Sequence, residues 1–445
     1  MPKESVLGLG ETFEEFLSNL KINNAETISL RYGEITAALN KQFRDTESKT
    51  ANRLQVGSYG RDSAIKGVSD LDMLYIMPDD SWDDYKWDKG QYKLLDAASS
   101  AIKKRYPTTE IFVDRLVVRV LYESFHVEVQ PVFELKDGSF KYPDTYGDGK
   151  WKITKPRAEI NAMSEVDEEK NGNLRRLAKM ARAWKNKHGV GIGGLLIDTL
   201  AHNFLNSTKE YDETSFLYCD YMSRDFFAYL AELPDQDYFE ALGSGQWVKV
   251  KKKFQKKAKK THELCLKAIT AEGSATQNAK WRKVYGRKFP ADAVAEVKKS
   301  ALVEDARHAT NSEEFFEDRF PYDVRYNIQL ECKVSQDGFR EFALSDWLSK
   351  RMRLKRKKSL KFFVEWHDVP KPFDLYWKVL NRGPEAIRRN MIRGQILRDA
   401  GHHERTETTD FYGDHIVECV AVKNGVVVAT DRILVPIDED SDGQG

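Results

Sequence analysis

Four cysteines in 445 residues, Cys219, Cys265, Cys332 and Cys419, are too few and too widely spaced for a disulfide framework. None belongs to a CxxC pair of the kind that holds zinc. No stretch approaches the roughly 18 consecutive apolar residues of a membrane-spanning helix. The first residues carry Lys3, Glu4, Glu11, Glu14 and Glu15 and show no signal-type apolar run. Charge of neither sign dominates: 71 Lys+Arg against 70 Asp+Glu leaves +1, so any nucleic-acid contact would have to come from a local patch. The expected setting is a reducing cytoplasm, with no membrane partner and no nucleic acid as substrate.

What is present suffices for substantial cores. Hydrophobic residues make up 41% of the chain and 23 are Phe, and the length suggests two to three domains. Residues 1–50 place apolar groups at helical spacing, first in Thr12–Leu20 and then in Ile28–Phe43, which predicts a long helix able to serve as a spine. Strand patterns dominate 54–135, over Leu71–Met77, Ile111–Val120 and Phe125–Phe133, with an amphipathic helix over Tyr92–Tyr106. Pro131 is expected to end its strand or mark an edge. Residues 171–270 read as helical, beginning with Asn173–Lys185 and, after the break at Gly191–Gly194, Leu195–Leu205. From about 315 alternation returns, over Val324–Val334, Lys361–Trp366, Phe373–Val379, His415–Val422 and Val426–Val435, with one helix over Leu344–Leu354. The expected division is 1–160, 161–312, 315–437 and an acidic, flexible tail at 438–445.

The most informative stretch runs from Gln55-Val56-Gly57-Ser58-Tyr59-Gly60-Arg61 to Ser69-Asp70-Leu71-Asp72. A Gly-Ser turn leading into a helix presents backbone N–H groups and a hydroxyl, which suits the phosphates of a donor triphosphate at Gly57 and Ser58. Side chains alternate across a strand, so Asp70 and Asp72 share one face. Two carboxylates at that spacing suit a hard divalent cation that also binds phosphate oxygens. In Phe125–Pro131 the same alternation places His126, Glu128 and Gln130 together, and Glu128 is expected to face the two aspartates as third acid. Asp70, Asp72 and Glu128 then form the catalytic and metal-binding set, for Mg2+ or alternatively Mn2+, in a two-metal phosphoryl transfer that needs no His base. The helix Asn173–Lys185 is expected to present Arg182 or Lys185 as a further clamp on the donor phosphates.

Gly57-Ser58-Tyr59-Gly60-Arg61 through Ser69-Asp70-Leu71-Asp72 resembles the signature of the cGAS/DncV-like nucleotidyltransferases, the bacterial cyclic-oligonucleotide synthases of anti-phage signalling. The segments Tyr376–Gly383, Arg393–Ile396 and Tyr412–Cys419 resemble the C-terminal sensor domain attached to some of them. The resemblance implies an α+β architecture: a polymerase-β-like nucleotidyltransferase sheet with a helical lobe, then a mostly β domain. It implies condensation of nucleoside triphosphates, ATP among them, into a cyclic di- or trinucleotide that activates a downstream effector. It also implies conjugation machinery acting on the terminal Gly445. Two departures stand out. The family usually has Asp where this chain has Glu128, and glycines at 191–194 occupy the region of a phosphate-contacting Ser.

Two other readings stay open on sequence grounds: a linear or terminal nucleotidyltransferase, and an inactive nucleotide-binding regulatory module. The lysines at 249–260 read as a solvated helix face, with phosphate binding as the alternative. The basic run Lys350–Lys358 divides evenly between those two. His415 and Cys419 share a strand face near His402-His403, where packing outweighs a zinc site. Asn381, Arg393 and His415 are candidates for the lining of a sensor pocket.

Overall fold

The computed structural model describes residues 8–123, 125–292, 314–320, 322, 324–336, 340–350, 352–381, 386, 393–410 and 412–438. The expected tail 439–445, with Gly445 and the conjugation reading attached to it, lies outside these residues. The described residues separate into two compact units, the first from residues up to 187 with 192–291 and the second from 188–191 with those beyond 291. The expected boundary at 160 does not appear as a division between units, because the sheet and the helices that follow it share buried contacts.

The first unit opens with α1 (Leu9–Asn19) and α2 (Ala25–Arg44), then β1 (Arg53–Gln55), the one-turn helix α3 (Gly57–Gly60) and β2 (Asp70–Ile76). Next come α4 (Trp82–Tyr85), α5 (Gly90–Arg105), β3 (Ile111–Asp114), β4 (Val117–Leu121), β5 (His126–Glu134), β6 (Phe140–Asp144) and β7 (Lys150–Thr154). The strands form one sheet in the order β1-β2-β5-β4-β3, with β6 joined to β5 and β7 to β6. Only the β2–β5 pair at its centre is parallel; the remaining pairs are antiparallel.

Period-two alternation decides what each face of β2 does. Leu71, Met73 and Tyr75 turn to one side and join Ile28, Tyr32, Ile35 and Leu39 of α2 and Leu94, Leu95, Ala98 and Ile102 of α5 in a buried core. Burying a side chain of this size contributes about 1.5–3 kcal/mol, so the register is strongly fixed, and the acids are committed to the opposite face. The spine expected from residues 28–43 is α2, packed behind the acid-bearing strand. Pro131 is not at a strand end. It pairs with Tyr75 inside β5, beyond the last β4 pairing at Val129 and before the first β6 pairing at Phe133. Its missing N–H therefore falls where β5 changes partners, which is why a proline is tolerated there.

Helices complete this unit: α6 (Pro156–Glu169), α7 (Asn173–His188), α8 (Gly194–Asn206), α9 (Cys219–Glu232), the hairpin β8 (Tyr238–Glu240) and β9 (Trp247–Lys249), α10 (Gln255–Ile269) and α11 (Gln277–Tyr285). Phe13, Phe16, Trp281, Tyr285 and Phe289 tie the first helix to the last by close ring contacts. The lysines at 249–260 are spread over β9, a loop and α10 instead of sharing one helix face.

The second unit is a β-sandwich: β10 (Ile328–Ser335), β11 (Phe342–Ala343), β12 (Ser359–His367), β13 (Asp374–Leu380), β14 (Arg393–Arg398), β15 (Glu404–Thr408), β16 (Gly413–Lys423) and β17 (Val426–Ile437). Its sheets run β11-β10-β12-β15 and β14-β13-β16-β17. Cys332 and Phe362 of one sheet meet Trp377, Cys419 and Val428 of the other in a common core. The helix expected over Leu344–Leu354 stops at Ser349, and Leu354 instead forms a bridge with Ile437.

Candidate active site

The parallel pairing of β2 with β5 sets Asp70 beside His126 and Asp72 beside Glu128. Both strands alternate in phase, so the four side chains share the face turned away from α2 and α5. Asp70 Oδ1 lies 3.1 Å from His126 Nε2 and accepts a 3.0 Å hydrogen bond from the Ser69 hydroxyl. His126 Nε2 is also 3.4 Å from Glu128 Oε1. Arg119, opposite Glu128 on β4, approaches the same carboxylate at 2.8 Å and reaches Asp114 at 3.1 Å. Burial opposes ionisation of Glu128, but the hydrogen bond from His126 and the charge of Arg119 outweigh it and hold the carboxyl below the ordinary glutamate value.

One ligand atom each from Asp70, His126 and Glu128 fall within 4.8 Å of one another. That oxygen-rich set with a single imidazole fits a divalent cation. Glu128 does come to the acids, as its alternation predicts. Alternation alone puts His126 on this face and gives it no role; its position two residues before Glu128 is the signal the sequence offers.

Asp72 is committed to the turn. The Gly-Ser segment is α3, entered through Gly57 at φ +65°, and Val56 N–H donates to the Asp72 carbonyl at 3.1 Å. A Cβ on Gly57 would sit 1.9 Å from Asp72 Oδ2, so only glycine lets the backbone of the turn come this close to the second acid. Gly60 is similarly restricted: its Cβ would meet the Gln55 carbonyl at 2.3 Å. Behind the strand, the buried Tyr32 hydroxyl of α2 donates to the same Asp72 carbonyl at 3.3 Å. Burial, with the nearby Asp72 charge, pushes that phenol well above its ordinary range. Ser58 is half-buried on α3, and its carbonyl accepts from the N–H groups of Ser63 and Ala64.

Arg182 and Lys185 require a correction. Both are buried, at 5% and 4% exposure. Arg182 makes a bidentate pair with the fully buried Asp198 of α8, at 2.6 and 2.9 Å, and donates to the Gly194 carbonyl. Arg61, at the end of the Gly-Ser turn, reaches the same Asp198 at 2.8 Å and Glu159 of α6 at 3.2 Å. The arginine expected as a phosphate clamp is therefore one member of a buried quartet of two cations and two acids. Burial opposes ionisation of Asp198, yet Arg182 and Arg61 hold its carboxyl below the ordinary aspartate value. Glu159 is pushed the other way, by burial. The α7 cations that do meet the turn are Lys179 and Arg175, at 3.0 and 3.8 Å from Asp62. Gly193 caps α8, and Gly194 begins it where a Cβ would lie 3.3 Å from the Arg182 guanidinium.

In the second unit, Asn381, Arg393 and His415 line one cavity. Cys419 is buried in the sandwich core, where burial raises its thiol well above the ordinary value. Among the described residues, the one cluster of three or more His, Cys, Asp or Glu side chains close enough to share a metal is that of Asp70, His126 and Glu128.

A tight turn pressed against one of two strand-borne acids, with a third on the neighbouring strand, is an arrangement that suits metal-assisted nucleotidyl transfer. Residues 8–167 match the Second Messenger Oligonucleotide or Dinucleotide Synthetase domain, and residues 310–438 match the Adenylyl/Guanylyl and SMODS C-terminal sensor domain. A cyclic AMP-AMP-AMP synthase of an Acinetobacter strain is 24% identical over 317 residues, covering 66% of this chain and 89% of that protein. Solved structures with a similar fold include the CdnC:HORMA-deltaN complex of E. coli MS115-1, at TM-score 0.49 and 13% identity over 63% of this chain and 98% of that one. They also include the DncV cyclic AMP-GMP synthase of Vibrio cholerae, at TM-score 0.43 and 15% identity over 54% and 70%. By these matches the chain joins a second-messenger oligonucleotide or dinucleotide synthetase domain, a nucleotidyltransferase, to a C-terminal sensor-type domain.

Proposed function

We infer that this protein joins nucleoside triphosphates into a cyclic di- or trinucleotide with release of pyrophosphate, and that Asp70, Asp72 and Glu128 carry the reaction. The observation that supports this most is the register that sets Asp72 against Glu128 on one side and Gly57 on the other. The backbone of Gly57 and the hydroxyl of Ser58 hold the donor phosphates. Asp70, Asp72 and Glu128 hold divalent cations, Mg2+ or Mn2+, with His126 beside Asp70 and Glu128. Bound there, such cations would supply charge neutralisation at the triphosphate and a lowered pKa at the attacking hydroxyl. That hydroxyl oxygen attacks the α-phosphorus in line. A new P–O bond forms as the bond to the β-phosphate bridging oxygen breaks, the proton passes to solvent and pyrophosphate leaves. Repetition on the growing chain, with its own hydroxyl as final acceptor, closes the ring. The name of the Acinetobacter relative supports ATP as a substrate. The family resemblance supports a cytoplasmic role in anti-phage defence through a downstream effector.

The test is incubation with all four triphosphates, followed by phosphatase and mass spectrometry. The wild type yields a phosphatase-resistant cyclic species, and the folded Asp70→Asn/Asp72→Asn variant yields none. Turnover in that variant removes the metal assignment, and a phosphatase-sensitive ladder replaces cyclisation with linear synthesis.

A further inference from the structure

His126 Nε2 sits between two carboxylate oxygens, 3.1 Å from Asp70 Oδ1 and 3.4 Å from Glu128 Oε1. One ring nitrogen carries at most one hydrogen and cannot donate well to both. The same triangle is what three ligand atoms make around one ion. Donors about 2.1 Å from a cation and at right angles to each other lie about 3 Å apart. The backbone of two paired strands fixes all three residues: Asp70 on β2 stands beside His126 on β5, and Glu128 follows two residues on. His126 and Asp70 are both buried, which leaves the imidazole little freedom to turn out to water.

Ligand chemistry decides which ion such a triangle prefers. Mg2+ is a hard ion that depends on charged oxygen ligands and gains little from an imidazole. Arg119 lies 2.8 Å from Glu128 Oε1 and offsets part of that carboxylate's charge. A carboxylate has about four lone-pair sites on its two oxygens, so Glu128 is able to hold Arg119 and still ligate a cation. The offset weakens the ionic share of the bonding and leaves the nitrogen lone pair untouched. First-row transition ions gain from that lone pair, and Mn2+ among them also suits the two carboxylates.

We propose that His126 is itself a metal ligand, and that with Asp70 and Glu128 it makes a cation position selective for a first-row transition ion such as Mn2+ over Mg2+. The inference rests on the divalent-ion reading of this site and adds to it one nitrogen donor that sets the choice of metal.

The test uses the full chain, stripped of metal and free of nucleotide. Mn2+ is titrated and followed by the electron paramagnetic resonance of the free ion, and Mg2+ affinity is read by competition. The wild type is expected to bind Mn2+ at least about tenfold more tightly than Mg2+. Pulsed resonance of the bound Mn2+ is expected to show coupling to an imidazole nitrogen nucleus. His126→Gln replaces the ring with an oxygen donor, and in it the nitrogen coupling is expected to vanish. Its Mn2+ binding is expected to weaken at least about tenfold, with Mg2+ binding within about threefold of wild type.

The proposal is overturned if Mn2+ bound to the wild type shows no nitrogen coupling, a result that counts whether or not the variant folds. It is overturned equally if His126→Gln keeps the coupling or the Mn2+ affinity. Equal weakening of both ions also overturns it, since that makes His126 a positioning residue for the acids. Nitrogen-coupled Mn2+ in a protein that forms no nucleotide product removes the catalytic reading alone. Product formation without nitrogen coupling removes this proposal alone.

Discussion

Gly57 and Asp72 are in such close register that the missing side chain of the first is the space occupied by the carboxylate of the second. A Cβ at 57 would lie 1.9 Å from Asp72 Oδ2, on a residue already at φ +65°. Gly57→Ala is therefore expected to push the turn and the acid apart. A displacement of about 1 Å costs on the order of 10²-fold in rate. Steady-state kinetics should show kcat/KM reduced by that order, while circular dichroism reports an intact fold. Activity within about threefold of wild type would mean that the turn and Asp72 need not touch during catalysis.

Arg182 offers a clean contrast between two roles. As a phosphate clamp, its loss would raise KM and leave stability alone. As one of two arginines on the fully buried Asp198, its loss leaves Arg61 to face both buried acids of the quartet, for which the cost is up to about 3–5 kcal/mol. Arg182→Ala is expected to lower the urea midpoint markedly. A raised KM at unchanged stability would restore the clamp.

Acid sensitivity is expected to concentrate at Asp144. The Arg115 guanidinium beside it, 2.7 Å away, and Lys152, at 2.7 Å, hold its carboxyl well below the usual aspartate range. A carboxyl depressed by folding stabilises above its unfolded value, near 3.9, and that contribution is lost as pH falls through the lower folded value. Asp144→Asn should therefore be less stable than wild type at pH 7, with the gap closing as the pH drops below about 4. Urea melts at both pH values measure it, and a gap independent of pH would assign the effect to packing.

How much of this was legible in the chain follows from which interactions are local. Alternation within 70–76 and 126–134 was enough to align Asp70, Asp72 and Glu128, because a two-residue period leaves only two faces and the apolar residues claim one. The place of α2 behind that strand followed from its own periodicity. Arg182 was misread because Leu174, Leu177, Ala181 and Trp184 suggested a narrow buried stripe, whereas Ala178, Met180, Ala183 and Lys185 are buried too. Nothing local announces that Asp198, on the next helix, draws the guanidinium inward. His126 went without a role for a similar reason: its contact with Asp70 exists only through the pairing of two strands more than fifty residues apart. In the second unit, three residues named from separate segments meet in one cavity, since a sandwich brings the ends of distant strands together.

The quartet of Arg61, Glu159, Arg182 and Asp198 decides where this chain is divisible. It locks the residue at the end of the Gly-Ser turn to three helices, one of them beginning at Gly194. A polypeptide ending at residue 167, where the synthase-domain match ends, keeps Arg61 and Glu159 but loses Arg182 and Asp198. It is expected to be insoluble or to melt without cooperativity, whereas one ending at 291 should melt sharply; a soluble, cooperatively melting shorter piece would contradict this. Any exchange of parts between relatives that leaves the turn competent therefore has to move residues 57 through 206 as one inherited block.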